Sequence, residues 1–291
     1  MTFTADELAA CVKLIELALA EDLGTTGDRT SLATIPAEQS GAAAFVVRTP
    51  GTIAGLPAVA EVLHAVDATL QFDVMAHDGL EYPRGAVLGT VRGSLRQILT
   101  AERTALNFLQ RLSGVATLTR KYADAVAGLP VTLLDTRKTT PGWRLLEKYA
   151  VRAGGGTNHR IGLWDAILIK DNHIAGLGDP ATAVRRSVEL ARAYPGNAGL
   201  PVEVEVDSLA QLRQVMPARP EIVLLDNMAN DLLRECVRLR DAIAPGVLLE
   251  ASGGVNLMTV RGIAETGIDR ISVGAITHSA TALDIALDYA A

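Results

Sequence analysis

VEVEVDSLAQLRQVMPARPEIVLLD, residues 202–226, reads as strand, helix, strand. VEVEV (202–206) and EIVLLD (221–226) are short apolar strand candidates, and LAQLRQVM (209–216) between them has helical spacing. A strand, a crossover helix and a second strand make the parallel βαβ unit. The same rhythm extends outward to VTLLD (131–135), DAILIK (165–170), VLLEAS (247–252) and RISVGA (270–275), with helical intervals such as PATAVRRSVELARAY (180–194). Six strands fall short of a full barrel of eight. The expected fold is therefore α/β with an incomplete, six- to seven-stranded parallel α/β barrel, and a doubly wound sheet is the alternative.

Upstream of residue 112 the chain changes character. A helix over about 6–20 precedes the apolar runs AAFVVR (43–48), GTIAGL (51–56), LQFDVM (70–75) and AVLGTV (86–91). Pro50, Gly51, Pro83 and Gly85 punctuate them, which predicts a small α+β unit with an antiparallel sheet. A longer helix over 98–114, with Gly114 as its stop, links the two parts. The expected domains are 1–112, a small open α+β sandwich, and 113–275, the barrel carrying the site. The tail 276–291 is expected to pack back on the first.

Composition bounds the class. The chain has 291 residues, 49% of them hydrophobic and only 4% aromatic, which suits aliphatic helices packed on buried parallel strands. Two cysteines are too few for a disulfide framework, so buried thiols and a cytoplasmic location are expected. The N-terminus is acidic and amphipathic, unlike a signal peptide, and no uncharged run reaches transmembrane length. Without a basic stripe interleaved with aromatics, neither nucleic acid nor membrane is an expected partner.

Charge is distributed unevenly. Between Asp135 and His173 lie Arg137, Lys138, Arg144, Lys148, Arg152, Arg160 and Lys170, opposed after Asp135 by Glu147, Asp165 and Asp171 alone, in a chain of net charge −6. These cations stand beside strand ends and Gly-rich loops instead of at helical i, i+4 spacing, so they read as a site for a multiply charged anion more than as a solvated face. Polar residues gather at the strand ends: Arg137 and Lys138, Lys170, Glu203 and Glu205, Asp226, Glu250 and Ser252, and Gly274. In barrel enzymes that face carries the chemistry. ASGGVN (251–256) and SVGAITHS (272–279) put small residues between strand and helix, where backbone amides approach a phosphate.

DTRKT, GGGTNHR, LIKDNH, VEVEVDS, LLDN, SGG and VGAITHS, in this order and spacing, resemble quinolinate phosphoribosyltransferase, also called nicotinate-nucleotide pyrophosphorylase (carboxylating). The likeness runs from EDLGTTGDRTS (21–31) through TAER (100–103) nearly to the C-terminus. It implies transfer of phosphoribosyl from phosphoribosyl pyrophosphate to quinolinate with loss of CO₂ and pyrophosphate, giving nicotinate mononucleotide for NAD synthesis. It also implies Mg²⁺ and a homodimer with shared sites, or a hexamer as the larger assembly. By resemblance Arg103 (from the neighbouring subunit), Arg137, His159, Arg160 and Lys170 bind quinolinate, and Lys138 faces the pyrophosphate. Glu205 and Asp226 serve the ribose hydroxyls and the metal, while Ser252, Gly253 and Gly274 hold the 5′-phosphate. Lys138, Lys170, Glu205 and Asp226 are thereby the expected catalytic set. Ala251, where Ser is frequent, and the indoles Trp143 and Trp164 depart from the family pattern.

Two rivals stand beside this reading. Lys170 at a strand end fits a Schiff-base lyase, although Arg137, Lys138 and Arg160 surround it in place of an apolar pocket. An anion-handling accessory protein related to molybdenum transport is the other, opposed by the KDNH at 170–173. No HExxH, CxxC or P-loop is present, and His64, His77 and His278 read as surface or loop histidines.

Overall fold

The computed structural model describes residues 1–179 and 182–290. The chain divides into two compact units. Met1–Arg120, Lys138–Gly156 and Ile276–Ala291 form the first, Lys121–Arg137 and Thr157–Ala275 the second. These boundaries differ from an expected break at 112. That position lies inside a continuous helix, Leu95–Ala125. Gly114 does not stop this helix; it admits a neighbour, since a Cβ there would lie 2.2 Å from the Thr281 carbonyl oxygen. Residues 138–156 belong with the first unit because the helix Arg144–Ala153 buries Leu146, Tyr149, Ala150 and Val151 there. Tyr149 Oη donates to Asp78 at 2.7 Å and Arg152 pairs with Glu7 at 2.6 Å.

In the first unit the strands are β1 (Ser40–Val47), β2 (Gly51–Thr52), β3 (Gln71–Val74), β4 (Glu81–Tyr82) and β5 (Val87–Ser94). GTIAGL supplies only two strand residues before a helix begins at Leu56. In the second unit β6 (Thr132–Leu134), β7 (Ile167–Ile169), β8 (Val202–Val206), β9 (Ile222–Asp226), β10 (Leu248–Ser252) and β11 (Arg270–Ser272) make one parallel sheet in the order β6-β11-β10-β9-β8-β7. β12 (Ile285–Ala290) returns to pair antiparallel with β1, giving the first unit a sheet ordered β12-β1-β5-β3. Of the helix expected over 180–194, Ala183–Ala193 is helical; Pro180 and Ala181 lie outside the described residues.

The strand order decides between the two architectures. A doubly wound sheet reverses direction at a switch point, whereas here β7 to β11 follow one another and β6 comes next, as in a ring. A bridge from Leu134 to Thr157 adds a seventh short segment beyond β6. β9 is apolar along its buried length, as a strand covered on both faces should be. Glu203 of β8 and Glu250 of β10 are buried exceptions in the sheet. Cys11 and Cys236 are buried free thiols, and burial pushes their pKa values up to about 12 and about 11.

Candidate active site

The site begins where β6 ends. Asp135 is fully buried and accepts from the His159 amide and from Asn158 Nδ2, both at 2.8 Å. With Thr157 bridged to Leu134, this fixes the course of residues 157–159. His159 Nε2 lies 3.1 Å from Glu203 Oε2 on β8 and 3.4 Å from Glu250 Oε1 on β10, and Arg270 Nε donates to the other Glu250 oxygen at 2.8 Å. In a flat sheet the Thr157 segment and β8 would be five strand spacings apart, roughly 24 Å. A contact of 3.1 Å therefore means that the sheet curls into a barrel.

This buried ionic cluster has defined electrostatics. Burial opposes a charged imidazole, but hydrogen bonds and charge from Glu203 and Glu250 hold the His159 pKa up to about 9. Glu203 is pushed up by burial, with the Glu250 charge adding to it. Glu250 is held down despite burial, since His159 and Arg270 both face it. The Arg160 amide approaches His159 Nδ1 at 2.7 Å, a contact that the neutral ring makes with its remaining proton on Nε2. Protonation puts a second hydrogen on Nδ1 and obliges that peptide to turn. Both ring nitrogens thus face protein groups.

His159, Glu203 and Glu250 are also, among the described residues, a group whose ligand atoms lie within 4.8 Å of one another. A hydrogen-bearing Nε2 offers no lone pair to a metal, and Arg270 already holds Glu250, so the trio suits an internal ion pair better than a cation site. Glu205 and Asp226, the expected metal residues, supply oxygen donors only, which fits Mg²⁺. They end β8 and β9 and line one cavity of about 280 Å³ with Asp171, Asp207 and Gln211.

Around this floor stand the cations. Arg137 is half-buried and its Nε is enclosed without a hydrogen-bond partner. A buried unpaired donor of this kind costs about 1–3 kcal/mol, which an arriving anion relieves. Arg160 has its pKa lowered by burial and then by the Arg137 charge, so the two guanidinium groups are neighbours. Arg160 Nη1 also donates to the Ala166 carbonyl at 3.2 Å, across the short loop that leads to β7. Lys170 is about half-exposed and pairs with Glu205 Oε2 at 2.5 Å. That is a charged setting, unlike the apolar pocket of a Schiff-base lysine.

Ser252 pairs in register with Asp226, and the Asn227 amide donates to the Ser252 carbonyl at 2.8 Å. Gly253 has φ +90°, and a Cβ there would meet the Asn227 amide nitrogen at 2.9 Å. Only glycine fits this close approach of two backbone loops. Ala251 is buried in β10 while Ser252 is half-exposed, and Gly274 directly follows Val273, whose amide donates to Leu134. Lys138 and Arg103 are exposed members of the first unit. Trp143 stacks on Phe108 at 4.7 Å between centroids, and Trp164 stands exposed on its loop. The cluster of His159, Glu203, Glu250 and Arg270 escaped sequence reasoning. Its only trace is a pair of glutamates at i, i+2 in an otherwise valine strand, with a third in the middle of β10.

Comparison with known proteins matches the chain to quinolinate phosphoribosyl transferase: the N-terminal domain over residues 28–113 and the C-terminal domain over 115–288. A nicotinate-nucleotide pyrophosphorylase [carboxylating] of Mycobacterium leprae is 45% identical over 284 residues, 97% of this chain and 98% of its own length. The solved structure of NadC from Streptococcus pyogenes superposes with a TM-score of 0.90 at 37% identity, covering 99% of both chains. The nicotinate-nucleotide pyrophosphorylase of Francisella tularensis gives 0.87 at 39%, over 97% of this chain and 96% of its own.

Proposed function

The chain belongs to the quinolinate phosphoribosyltransferase family, and from that premise we propose how its strand ends divide the work. The activity is transfer of phosphoribosyl from phosphoribosyl pyrophosphate to quinolinate with decarboxylation, giving nicotinate mononucleotide, CO₂ and pyrophosphate in NAD biosynthesis. This excludes the lyase and transport-accessory alternatives. Quinolinate carries two adjacent carboxylates, and the cations that meet them are Arg137, Arg160 and Lys170, with Arg103 supplied by a second subunit of a homodimer. The observation that carries this reading is Arg137 Nε, buried and unpaired beside Arg160.

Glu205 and Asp226 face the ribose hydroxyls, Lys138 the pyrophosphate, and Ser252, Gly253 and Gly274 the 5′-phosphate. Displacement at the anomeric carbon builds positive charge on the sugar that the two carboxylates stabilise, while Lys138 holds the leaving group. Glu205 and Asp226 would hold Mg²⁺, which would supply charge neutralisation for the pyrophosphate. Lys170, paired with Glu205, joins the acidic side to the acceptor side. After glycosyl transfer the positive ring nitrogen stabilises, through its charge, the electron pair that departing CO₂ leaves on the adjacent ring carbon, and a proton from solvent then fills that position. Arg137 and Arg160 steady the ring meanwhile.

A steady-state assay with either acceptor tests the division. Nicotinate leaves one carboxylate subsite empty and its cations unpaired, costing about 2–5 kcal/mol in kcat/KM, and chelation of Mg²⁺ stops turnover of quinolinate. Equal use of nicotinate, or full activity in excess chelator, overturns it.

A further inference from the structure

Lys138 lies in a loop whose shape is set from a distance. Thr277, fully buried, donates its Oγ1 to the Lys138 carbonyl at 2.8 Å. The carbonyl of the same Thr277 accepts from Arg111 Nη2 at 2.6 Å, and Arg111 Nη1 donates to the Ala280 carbonyl at 2.8 Å. Arg111 Nη2 and Nε both reach Glu147 Oε1, at 2.5 and 3.1 Å, and Glu147 is fully buried. Glu147 closes the circuit by accepting from the Thr140 amide at 3.1 Å and from Thr140 Oγ1 at 2.8 Å. Two residues from Lys138, the chain is thus held a second time.

Two guanidinium N–H groups converge on one oxygen of the buried Glu147, which restrains Arg111, and its other acceptors are backbone carbonyls and the Thr140 hydroxyl. The flexible side chain of Lys138 therefore starts from a backbone held at its own carbonyl and again two residues further on. We propose that Arg111, Glu147 and Thr277 are positioning residues for Lys138, and through it for the pyrophosphate of phosphoribosyl pyrophosphate. This rests on the functional reading above. The plainer account is that the ring only stabilises the helix Arg144–Ala153. The two differ in which ligand suffers when the ring is opened at Thr277, since that bond touches Lys138 and leaves Arg111–Glu147 intact.

The test is direct binding of phosphoribosyl pyrophosphate and, separately, of quinolinate to the full chain, with thermal melts alongside. Thr277→Val keeps the shape and removes the donor. Phosphoribosyl pyrophosphate affinity should fall about fivefold or more while quinolinate affinity stays within about twofold, and Thr277→Ser should restore it. If Thr277→Val does not fold, Arg111→Lys is read instead; it keeps the charge on Glu147, loses the fork, and should show the same selective loss. Unchanged phosphoribosyl pyrophosphate binding in a folded variant, or equal weakening of both ligands, overturns the positioning role. A wild-type protein that binds no phosphoribosyl pyrophosphate overturns the functional reading itself, a result separable from the other two.

Discussion

His159 is a residue whose electrostatics are set by neighbours remote in sequence. Family resemblance assigns it to quinolinate binding, and in the folded chain its Nε2 faces Glu203 and Glu250. Glu203 and Glu250 hold its pKa up to about 9 against an ordinary 6.5, while the Arg160 amide on Nδ1 favours the neutral ring. The sign follows: a raised folded pKa adds stability that is complete below about 6.5 and is lost as pH rises through about 9. An NMR titration of the imidazole should find that midpoint near 9, and Glu250→Gln should bring it back toward 6.5. A wild-type midpoint at 6.5 would show that the two carboxylates do not act on the ring.

At the scale of elements, the helix Leu95–Ala125 is the clearest departure from the reading of the sequence. A glycine near the end of an apolar pattern reads as a helix stop because glycine favours the left-handed cap. Gly114 instead stays helical, and its missing side chain leaves room for the 281–282 backbone. Gly114→Ala should therefore destabilise the first unit by about 1–3 kcal/mol through overpacking, although alanine is the better helix former. Denaturant unfolding measures it. A variant as stable as the wild type would mean that residues 281–282 yield at no cost. GTIAGL went astray for a related reason: Leu56–Val66 takes over as a helix where Gly55 adopts φ 110°.

For the whole molecule, the shared site of the proposed homodimer is the feature to test. Arg103 is exposed on its helix, where it is available to a second copy. Arg103→Ala and Lys138→Ala should each lose activity alone. Mixed under conditions of subunit exchange, they should regain a fraction of it, because a hybrid dimer holds one site with both residues intact. Exchange demonstrated without any recovery would place Arg103 and Lys138 in the same subunit's site. No described helix is long and apolar enough to cross a membrane.

The amino-acid order alone determined the two-part plan, the parallel strands, and the strand-end positions of Arg137, Lys170, Glu205, Asp226, Ser252 and Gly274. Those follow from local periodicity and from the rule that a strand's end meets the pocket, both of which operate over a few residues. Which strands become neighbours was decided only in three dimensions. Ring closure carries residues 157–159 to β8 and β10, and nothing in the spacing of Glu203, Glu250 and Arg270 announces that they share one buried cluster. The same holds for Arg111, Glu147 and Thr277, separated by 36 and 130 residues of chain yet joined in one circuit. Their bonds pair groups remote in sequence, and such pairings exist only after packing has excluded water and made each unpaired charge costly.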